Sequence, residues 1–142
     1  MNKEQKLIYN ELVSKYDFNL FQKHQIKIGL ENNVDVFIYA KPDFDFRQMS
    51  EIRNGLEKGY NISDYIKTDF NNSQMNEIRK GLEQCLNVSV YAKPEFDNHQ
   101  MEQIRRGLER NLDVSIYAKT EFDWAQMGLI RLGLKNNLDV SI

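Results

Sequence analysis

The sequence is poor in the residues that build disulfide, metal and catalytic sites. It contains one cysteine, two histidines and two prolines among 142 residues. Cys85 has no partner for a disulfide within the chain, and neither it nor His24 and His99 lies in a cluster with the spacing of a zinc site. No glycine-rich phosphate loop or HExxH motif occurs. We therefore expect a non-enzymatic protein with no metal and no cofactor.

Charge of one sign and long apolar runs are also missing. Lys and Arg number 19 against 21 Asp and Glu, so the net charge of −2 gives no overall basic field for nucleic acid or anionic lipid. No stretch approaches the roughly 18 apolar residues that span a bilayer. Charges interrupt the first ten residues, where a signal peptide needs an apolar run. A folded, cytoplasmic protein without a membrane partner is expected.

The sequence does contain an internal repeat of 26 residues. A phenylalanine and a glycine return at this interval, as Phe18, Phe44, Phe70, Phe96 and Phe122, and as Gly29, Gly55, Gly81, Gly107 and Gly133. A fixed period of this length is typical of stacked supersecondary units. We predict one repeat domain over residues 1–142, with a capping helix at 1–17, copies at 18–43, 44–69, 70–95 and 96–121, and a partial fifth copy at 122–142.

The first half of each copy has the pattern of an amphipathic helix, here called helix A, which spans roughly residues 45–58 in the second copy. Asp45 and Gln48 have the spacing of an N-terminal capping box, which Asp97 with Gln100 and Asp123 with Gln126 repeat. The apolar residues then recur at i, i+3 and i+7, as Met49, Ile52 and Leu56.

Helix A has a glycine in its interior, and the residue that follows its end is a candidate for the left-handed backbone conformation. An interior glycine costs about 1 kcal/mol relative to alanine, so its return in every copy predicts a close approach between helices that a methyl group would block. Gly59, Asn111 and Asn137 stand where a left-handed turn ends a helix.

The second half of each copy, such as residues 113–118 with the sequence DVSIYA, suits a strand or a short helix. Apolar positions repeat at i, i+3 and i+4, as in Val114, Tyr117 and Ala118, whereas the site between them holds Asp64 in one copy. A helix turns that aspartate toward water, and a strand does not. We predict a helix B capped by Asp35, Asn61, Asn87 or Asp113. The expected fold class is all-α, an α-solenoid of two-helix repeats; the alternative is an α/β solenoid with one short strand per repeat.

The segment YAKPEFDNHQMEQIRRGLERNLDVSIYAK resembles tandem repeats in proteins of phages and conjugative elements of Gram-positive bacteria, and the resemblance covers residues 18–142. The first copy departs from the pattern, with Lys23 in the methionine position and Asn19 for aspartate. The resemblance implies a mobile-element protein, and it brings no catalytic residues to this chain.

Two sets of side chains recur in every full copy and are candidates for a binding surface. Stacked repeats would align the basic set with a spacing of ~10 Å, which suits an acidic partner or phosphates. The basic set is Lys27, Arg53, Arg79, Arg105 and Arg131. The alternative is that each arginine pairs with the glutamate one turn later, as in Arg53–Glu57, Arg79–Glu83 and Arg105–Glu109. The tyrosines Tyr39, Tyr65, Tyr91 and Tyr117 are predicted core residues, or else a stacking platform for bases.

The first and fifth copies break the polar pattern of the middle ones. Phe21 and Ile28 are apolar in the first copy, where an amphipathic helix over residues 3–16 is expected to cover them. Trp124, Ala125, Leu129 and Leu132 are apolar in the fifth, with no later helix in the sequence to cover them. Since the ends of solenoids normally present polar faces, these residues predict a surface for self-association or for a partner. The alternative is that the C-terminal tail folds back over them.

Two functions from different classes follow from these patterns. The first is a protein-binding repeat protein, which the mobile-element resemblance extends to an inhibitor of a host defence system, of the anti-CRISPR kind, that occupies a protein surface. Its partner is a host protein or a second copy, in a homodimer through the fifth copy. The alternative is a helical repeat protein that binds nucleic acid with the basic set.

Overall fold

The computed structural model of the protein describes residues 1–137. All regular structure within this range is helical, without a β-strand. The α-helices are α1 (Lys3–Lys15), α2 (Leu20–Glu31), α3 (Phe46–Glu57), α4 (Asn72–Glu83), α5 (Asn98–Glu109) and α6 (Trp124–Lys135). Helices α2 to α6 are helix A of successive copies. The predicted all-α class, with repeated helix-turn units of the α-solenoid type, is confirmed, and the strand alternative is wrong.

Helix B is shorter than the sequence predicts. It is a three-residue 3₁₀ turn in each of the four full copies, at Val36–Ile38, Ile62–Asp64, Val88–Val90 and Val114–Ile116. In the fourth copy the amides of Tyr117 and Ala118 both donate to the Val114 carbonyl, at 3.0 and 2.8 Å. Tyr117 then has φ −125° and ψ −6°, outside the helical range, so the turn does not propagate. As predicted, Asp113 caps this turn by accepting from the Ser115 amide.

The chain divides into two compact units, Met1–Met75 and Asn76–Ile142, with the boundary inside α4. In the first unit α2 packs against both α1 and α3, and in the second α5 packs against α6. The second, third and fourth copies contribute the same residues to the core: the phenylalanine that opens the copy, the methionine and isoleucine of helix A, the valine or isoleucine of the 3₁₀ turn and the tyrosine that follows it. In the fourth copy these are Phe96, Met101, Ile104, Val114 and Tyr117.

Both ends of helix A follow the predicted capping patterns. At the start of α5 the Asp97 carboxylate accepts from the Gln100 amide at 2.8 Å, and the Gln100 side chain accepts from the Asp97 amide at 2.9 Å. The predicted capping boxes of α3 and α6 also form. The residue that follows each C-cap has a positive φ, as predicted for Gly59, Asn111 and Asn137 and as found also for Asn33 and Cys85.

The interior glycine of helix A has a different reason from the predicted one. A Cβ on Gly107 would lie 2.0 Å from the hydroxyl oxygen of Tyr117 and 2.6 Å from a methyl group of Val114. Val114 belongs to the 3₁₀ turn of the same copy, and Tyr117 is the residue after it. The glycine therefore makes room for the tyrosine of its own repeat. The predicted clash of a methyl group at this position is confirmed, but it is with side chains of the 3₁₀ turn and the residue after it, not with a second α-helix.

Helix α1 covers the first copy only in part. Leu12 is buried, and the Gln5 side chain donates to the Leu30 carbonyl at 2.6 Å. Phe21, which α1 was expected to cover, is 64% exposed, and its ring packs instead on Phe46 with 5.1 Å between centroids. The expectation for Phe21 is therefore wrong: its ring contacts the second copy, and most of its surface is in solvent.

Candidate functional site

Buried glutamines join consecutive copies. The Gln100 side chain completes the capping box of its own helix and also donates to the carbonyl of Phe122, in the next copy, at 2.7 Å. Gln22 and Gln48 make the same bond to Phe44 and Phe70. A polar side chain is tolerated in this place because its hydrogen bonds are satisfied within the protein.

The basic set forms a second link between copies. The Arg105 Nε donates to Glu77, one copy earlier, at 2.8 Å, while its Nη1 pairs with Glu109 one turn later. In the first unit Arg53 makes the same two contacts, with Gln25 at 2.9 Å and Glu57 at 2.6 Å. The predicted pairs with the following glutamate therefore form, Arg79–Glu83 among them. Sequence reasoning did not find the contact with the earlier copy.

These contacts hold the charges in place. Partial burial of Arg105 opposes its charged form, but the carboxylates of Glu77 and Glu109 more than offset this and raise the pKa of the guanidinium. The Arg105 side chain is only 11% exposed. In the first copy Lys27 lies over the ring of Tyr9, 5.2 Å from its centroid. Most of the basic set is thus occupied with contacts inside the protein.

The tyrosines are core residues, as the first of the two predictions had it. The rings of Tyr39, Tyr65, Tyr91 and Tyr117 are fully buried. The Tyr117 hydroxyl donates to the Gln103 carbonyl at 2.7 Å, and burial raises the pKa of this phenol well above its usual value. A buried ring offers no face to a nucleic-acid base, so these residues form no stacking platform.

The fifth copy lacks the acceptor that receives the arginine of a following repeat. At this position the earlier copies have Gln25, Glu51, Glu77 and Gln103, whereas the fifth has Leu129. In the fourth copy the Gln103 side-chain oxygen accepts a hydrogen bond from the Arg131 Nε at 3.0 Å. The leucine side chain at the same position of the fifth copy has no hydrogen-bond acceptor. Leu129 is 71% exposed. Helix α6 therefore presents a face unlike that of any earlier helix A.

The predicted interface residues lie together on this helix. Trp124, Ala125, Leu129 and Leu132, together with Gly128, line a shallow groove of about 340 Å³, which we call the α6 face. Trp124 is 52% exposed and Leu132 is 44% exposed. One side of Trp124 packs on His99, with 5.9 Å between ring centroids. The structure thus groups all four residues on one solvent-exposed surface of residues 76–137.

A second groove, which we call the basic groove, adjoins the α6 face. It has a volume of about 550 Å³, and its charged lining residues are Arg105, Arg106, Glu109, Arg110, Arg131 and Lys135. Arg131 and Leu132 line both grooves. Five cations against one carboxylate make this a strongly positive surface in a chain whose net charge is negative.

The cations of the basic groove differ in how well they are paired. Arg105 and Arg106 each form ion pairs with glutamates of α4 or α5. Within residues 1–137, Arg110, Arg131 and Lys135 form no ion pair, and Arg131 bonds to the neutral side chain of Gln103. Sequence reasoning missed this groove, although its signal was visible: Lys135 stands where the other copies have Glu31, Glu57, Glu83 and Glu109.

Metal binding and membrane insertion can each be checked against the part of the chain that the structure describes. No three His, Cys, Asp or Glu residues are arranged to hold a metal ion there. None of the helices described combines the length and the apolar character of a membrane span.

Comparison with protein-family models, with curated proteins and with solved structures gave no match.

Proposed function

We propose that this protein is a non-enzymatic binding protein that engages another protein through the α6 face. The observation that carries the proposal is Leu129, an exposed leucine where the other copies have a glutamine or glutamate. Trp124 and Leu132 extend the same apolar surface. A tryptophan is a typical anchor of a protein interface, and a contiguous exposed apolar patch around it is typical of an interaction surface.

The occupant we propose is a different protein, for two reasons. A further repeat of the same kind would bring an arginine or lysine to Leu129, which offers no acceptor. A second copy of this chain, docked by the same face, would bring Arg131 and its basic neighbours against their own equivalents, and such like-charge contact opposes association. A foreign segment with apolar side chains meets neither obstacle.

The internal copies supply the variant that tests this proposal. Leu129→Gln with Leu132→Arg gives α6 the residues of the fourth copy at these positions, Gln103 and Arg106. Both leucines are exposed, so the fold should be unaffected. Displayed libraries of random 16-residue peptides are selected against the wild type, and the selected peptides are then measured against the variant. We expect binding to the wild type and a loss of at least about tenfold with the variant.

The matched control is Leu20→Asn with Phe21→His, which gives the first copy the residues Asn98 and His99 of the fourth and removes exposed apolar surface from the other unit. Its binding should equal that of the wild type. Selected peptides that bind the Leu129→Gln/Leu132→Arg variant as tightly as the wild type, or a selection that enriches nothing, would contradict the proposal. So would light scattering that finds a wild-type dimer which the same variant dissociates, because the occupant would then be a second copy.

Nucleic-acid binding is the second candidate, and the basic groove favours it. The buried tyrosines and the arginines already bound to glutamates oppose it. A labelled 20-nucleotide single strand, titrated in 50 mM and in 200 mM salt, tests it: tight binding that falls steeply with salt would support this candidate. The role of an anti-CRISPR-like inhibitor of host defence, the mobile-element origin and the cytoplasmic location stay predictions.

A further inference from the structure

The basic groove points to the chemistry of the partner, and this inference rests on the proposed function. We infer that the segment bound by the α6 face is acidic, and that an Asp or Glu side chain of it binds between Arg131 and Lys135. Its apolar side chains then lie against Trp124, Leu129 and Leu132. The two grooves share Arg131 and Leu132, so one short segment reaches both.

The first observation behind this inference is a reversal of charge at one repeat position. In the second, third and fourth copies a glutamate accepts a hydrogen bond from the guanidinium of the arginine one turn before it, as Glu109 does from Arg105. In the fifth copy that position is Lys135, so the Nη atoms of Arg131 meet no carboxylate within residues 1–137. A carboxylate from another molecule can supply the same pairing, with the charge-assisted hydrogen bonds that arginine and carboxylate form.

The second observation is that the excess of positive charge is largest in this pair of copies, with five cations against one carboxylate. The same positions hold four cations against two carboxylates in the second and third copies, and again in the third and fourth. The corresponding residues of the first two copies are two cations, Lys27 and Arg53, and two carboxylates, Glu31 and Glu57, with the neutral Ile28, Asn32 and Asn54. Favourable interaction of cations with helix C-termini would act on every copy alike, because every helix A ends in the same place. The repeat therefore has no structural need for five cations, and the largest excess lies beside the α6 face.

The side-chain environment favours a protein carboxylate over a nucleic acid. A polyphosphate backbone requires a row of accessible cations, but Arg105 is 11% exposed and already bound to two glutamates. Arg131 bonds to Gln103 through its Nε, which leaves only its Nη atoms for a ligand. A site of two or three available cations beside apolar side chains fits a segment that mixes Asp or Glu with Leu, Ile, Phe or Trp.

The variant Lys135→Glu tests the inference without damage to the fold, since it restores the residue of the other four copies and gives Arg131 an intrahelical partner. It leaves Trp124, Leu129 and Leu132 untouched. Lys119→Glu is the matched control, because it changes the net charge equally at an exposed position outside both grooves. Thermal melts of both variants check that the fold is retained.

The probes are the 16-residue peptides selected on the wild type, synthesised and measured by fluorescence anisotropy. We expect them to be enriched in Asp and Glu beside apolar residues. Lys135→Glu should weaken their binding about tenfold, and Lys119→Glu should leave it within about twofold. Replacement of the acidic residues of a selected peptide by Gln or Asn should also weaken its binding to the wild type about tenfold. The same replacement should have little effect on its binding to Lys135→Glu.

The outcomes separate the inference from the proposed function. One outcome overturns the inference and leaves the protein-binding proposal standing. In it the selected peptides show no acidic enrichment and bind Lys135→Glu as tightly as they bind the wild type, but they do not bind Leu129→Gln/Leu132→Arg. Another outcome overturns both the inference and the proposed function in favour of nucleic acid. In it a 20-nucleotide single strand binds the wild type more tightly than any selected peptide does, and this binding is abolished by Lys135→Glu but not by Leu129→Gln/Leu132→Arg.

Discussion

The hydroxyl oxygen of Tyr117 lies 2.0 Å from the place where a Cβ of Gly107 would stand. The same hydroxyl donates to the Gln103 carbonyl, in the turn of α5 that precedes Gly107. The glycine is thus the space that lets a buried phenol reach the backbone of its own repeat. Gly29, Gly55 and Gly81 stand in the same relation to Tyr39, Tyr65 and Tyr91.

This relationship predicts the effect of Gly107→Ala. Alanine improves helix propensity by about 1 kcal/mol, but the steric conflict with Tyr117 and Val114 should cost more, so we expect a net loss of roughly 1–3 kcal/mol in the free energy of unfolding. Urea denaturation of Gly107→Ala, Tyr117→Phe and the double variant measures it. The loss of unfolding free energy in the double variant should be smaller than the sum of the losses in the two single variants. Without the hydroxyl, the nearest carbon of the ring would lie 3.2 Å from the new Cβ. Strict additivity, or a stabilising Gly107→Ala, would show that the phenol does not require the glycine.

The buried glutamines predict a difference between two residues that look alike in sequence. Gln100 makes a capping box and a bond to the next copy, whereas Gln126 is exposed and makes only the capping box among the described residues. Gln100→Ala should therefore cost about 1–2 kcal/mol more than Gln126→Ala, because it also leaves the partly buried Phe122 carbonyl without this donor. Chemical denaturation of the two variants gives the comparison, and equal losses would argue against the link between copies.

The left-handed turn after helix A predicts a stabilising substitution at Cys85. Cys85 has φ +58°, a conformation that costs an ordinary L-residue roughly 1–2 kcal/mol and that asparagine adopts more readily. Cys85→Asn should raise the free energy of unfolding by about 0.5–1 kcal/mol. Gly59→Ala is the reciprocal control: nothing lies within 4 Å of the new Cβ, so strain at φ +75° alone should destabilise it, by about 1 kcal/mol. A loss of stability in Cys85→Asn would be inconsistent with strain at this turn.

The buried tyrosines predict how stability depends on alkaline pH. Burial, partly offset by the nearby arginines, raises the pKa of Tyr39, Tyr91 and Tyr117 far above the phenol value of about 10. A raised pKa means that the folded state holds these protons more tightly than the unfolded state. The stability this gives is complete below pH of about 10 and falls as pH rises further.

Absorbance at 295 nm followed with circular dichroism tests this dependence. Ionisation of these three phenols should coincide with loss of helical signal, and Tyr117→Phe should remove one phenol from that step. Full ionisation of all the tyrosines while the helical signal is intact would contradict the buried hydrogen bonds.

Sequence periodicity was sufficient for the elements that repeat. The capping pair of Asp97 and Gln100, the apolar stripe and the left-handed turn are local, so their spacing alone predicts them. The length of helix B was not predictable in this way, because residues 114–116 have side chains that suit a turn, a strand or a helix, and the φ and ψ of Tyr117 end it. The link from Arg105 to Glu77 joins residues 28 apart, which only packing reveals.

The candidate site shows the same division. Trp124, Leu129 and Leu132 were found from their departure from the repeat, which one sequence is enough to show. The basic groove was missed because Arg110, the C-cap of α5, and Lys135, at the end of α6, line one groove only when α5 and α6 pack.

We propose that the α6 face binds an acidic segment of another protein, and the only tryptophan of the chain, Trp124, reports on this binding directly. Trp124 lies on that face and is half exposed, so its emission should be quenched readily by acrylamide in the free protein. Titration with a tryptophan-free selected peptide should shift the emission to shorter wavelength and protect Trp124 from acrylamide, with both changes abolished in Leu129→Gln/Leu132→Arg and weakened about tenfold in Lys135→Glu. Binding that leaves the emission and the quenching of Trp124 unchanged would place the partner elsewhere and contradict the account.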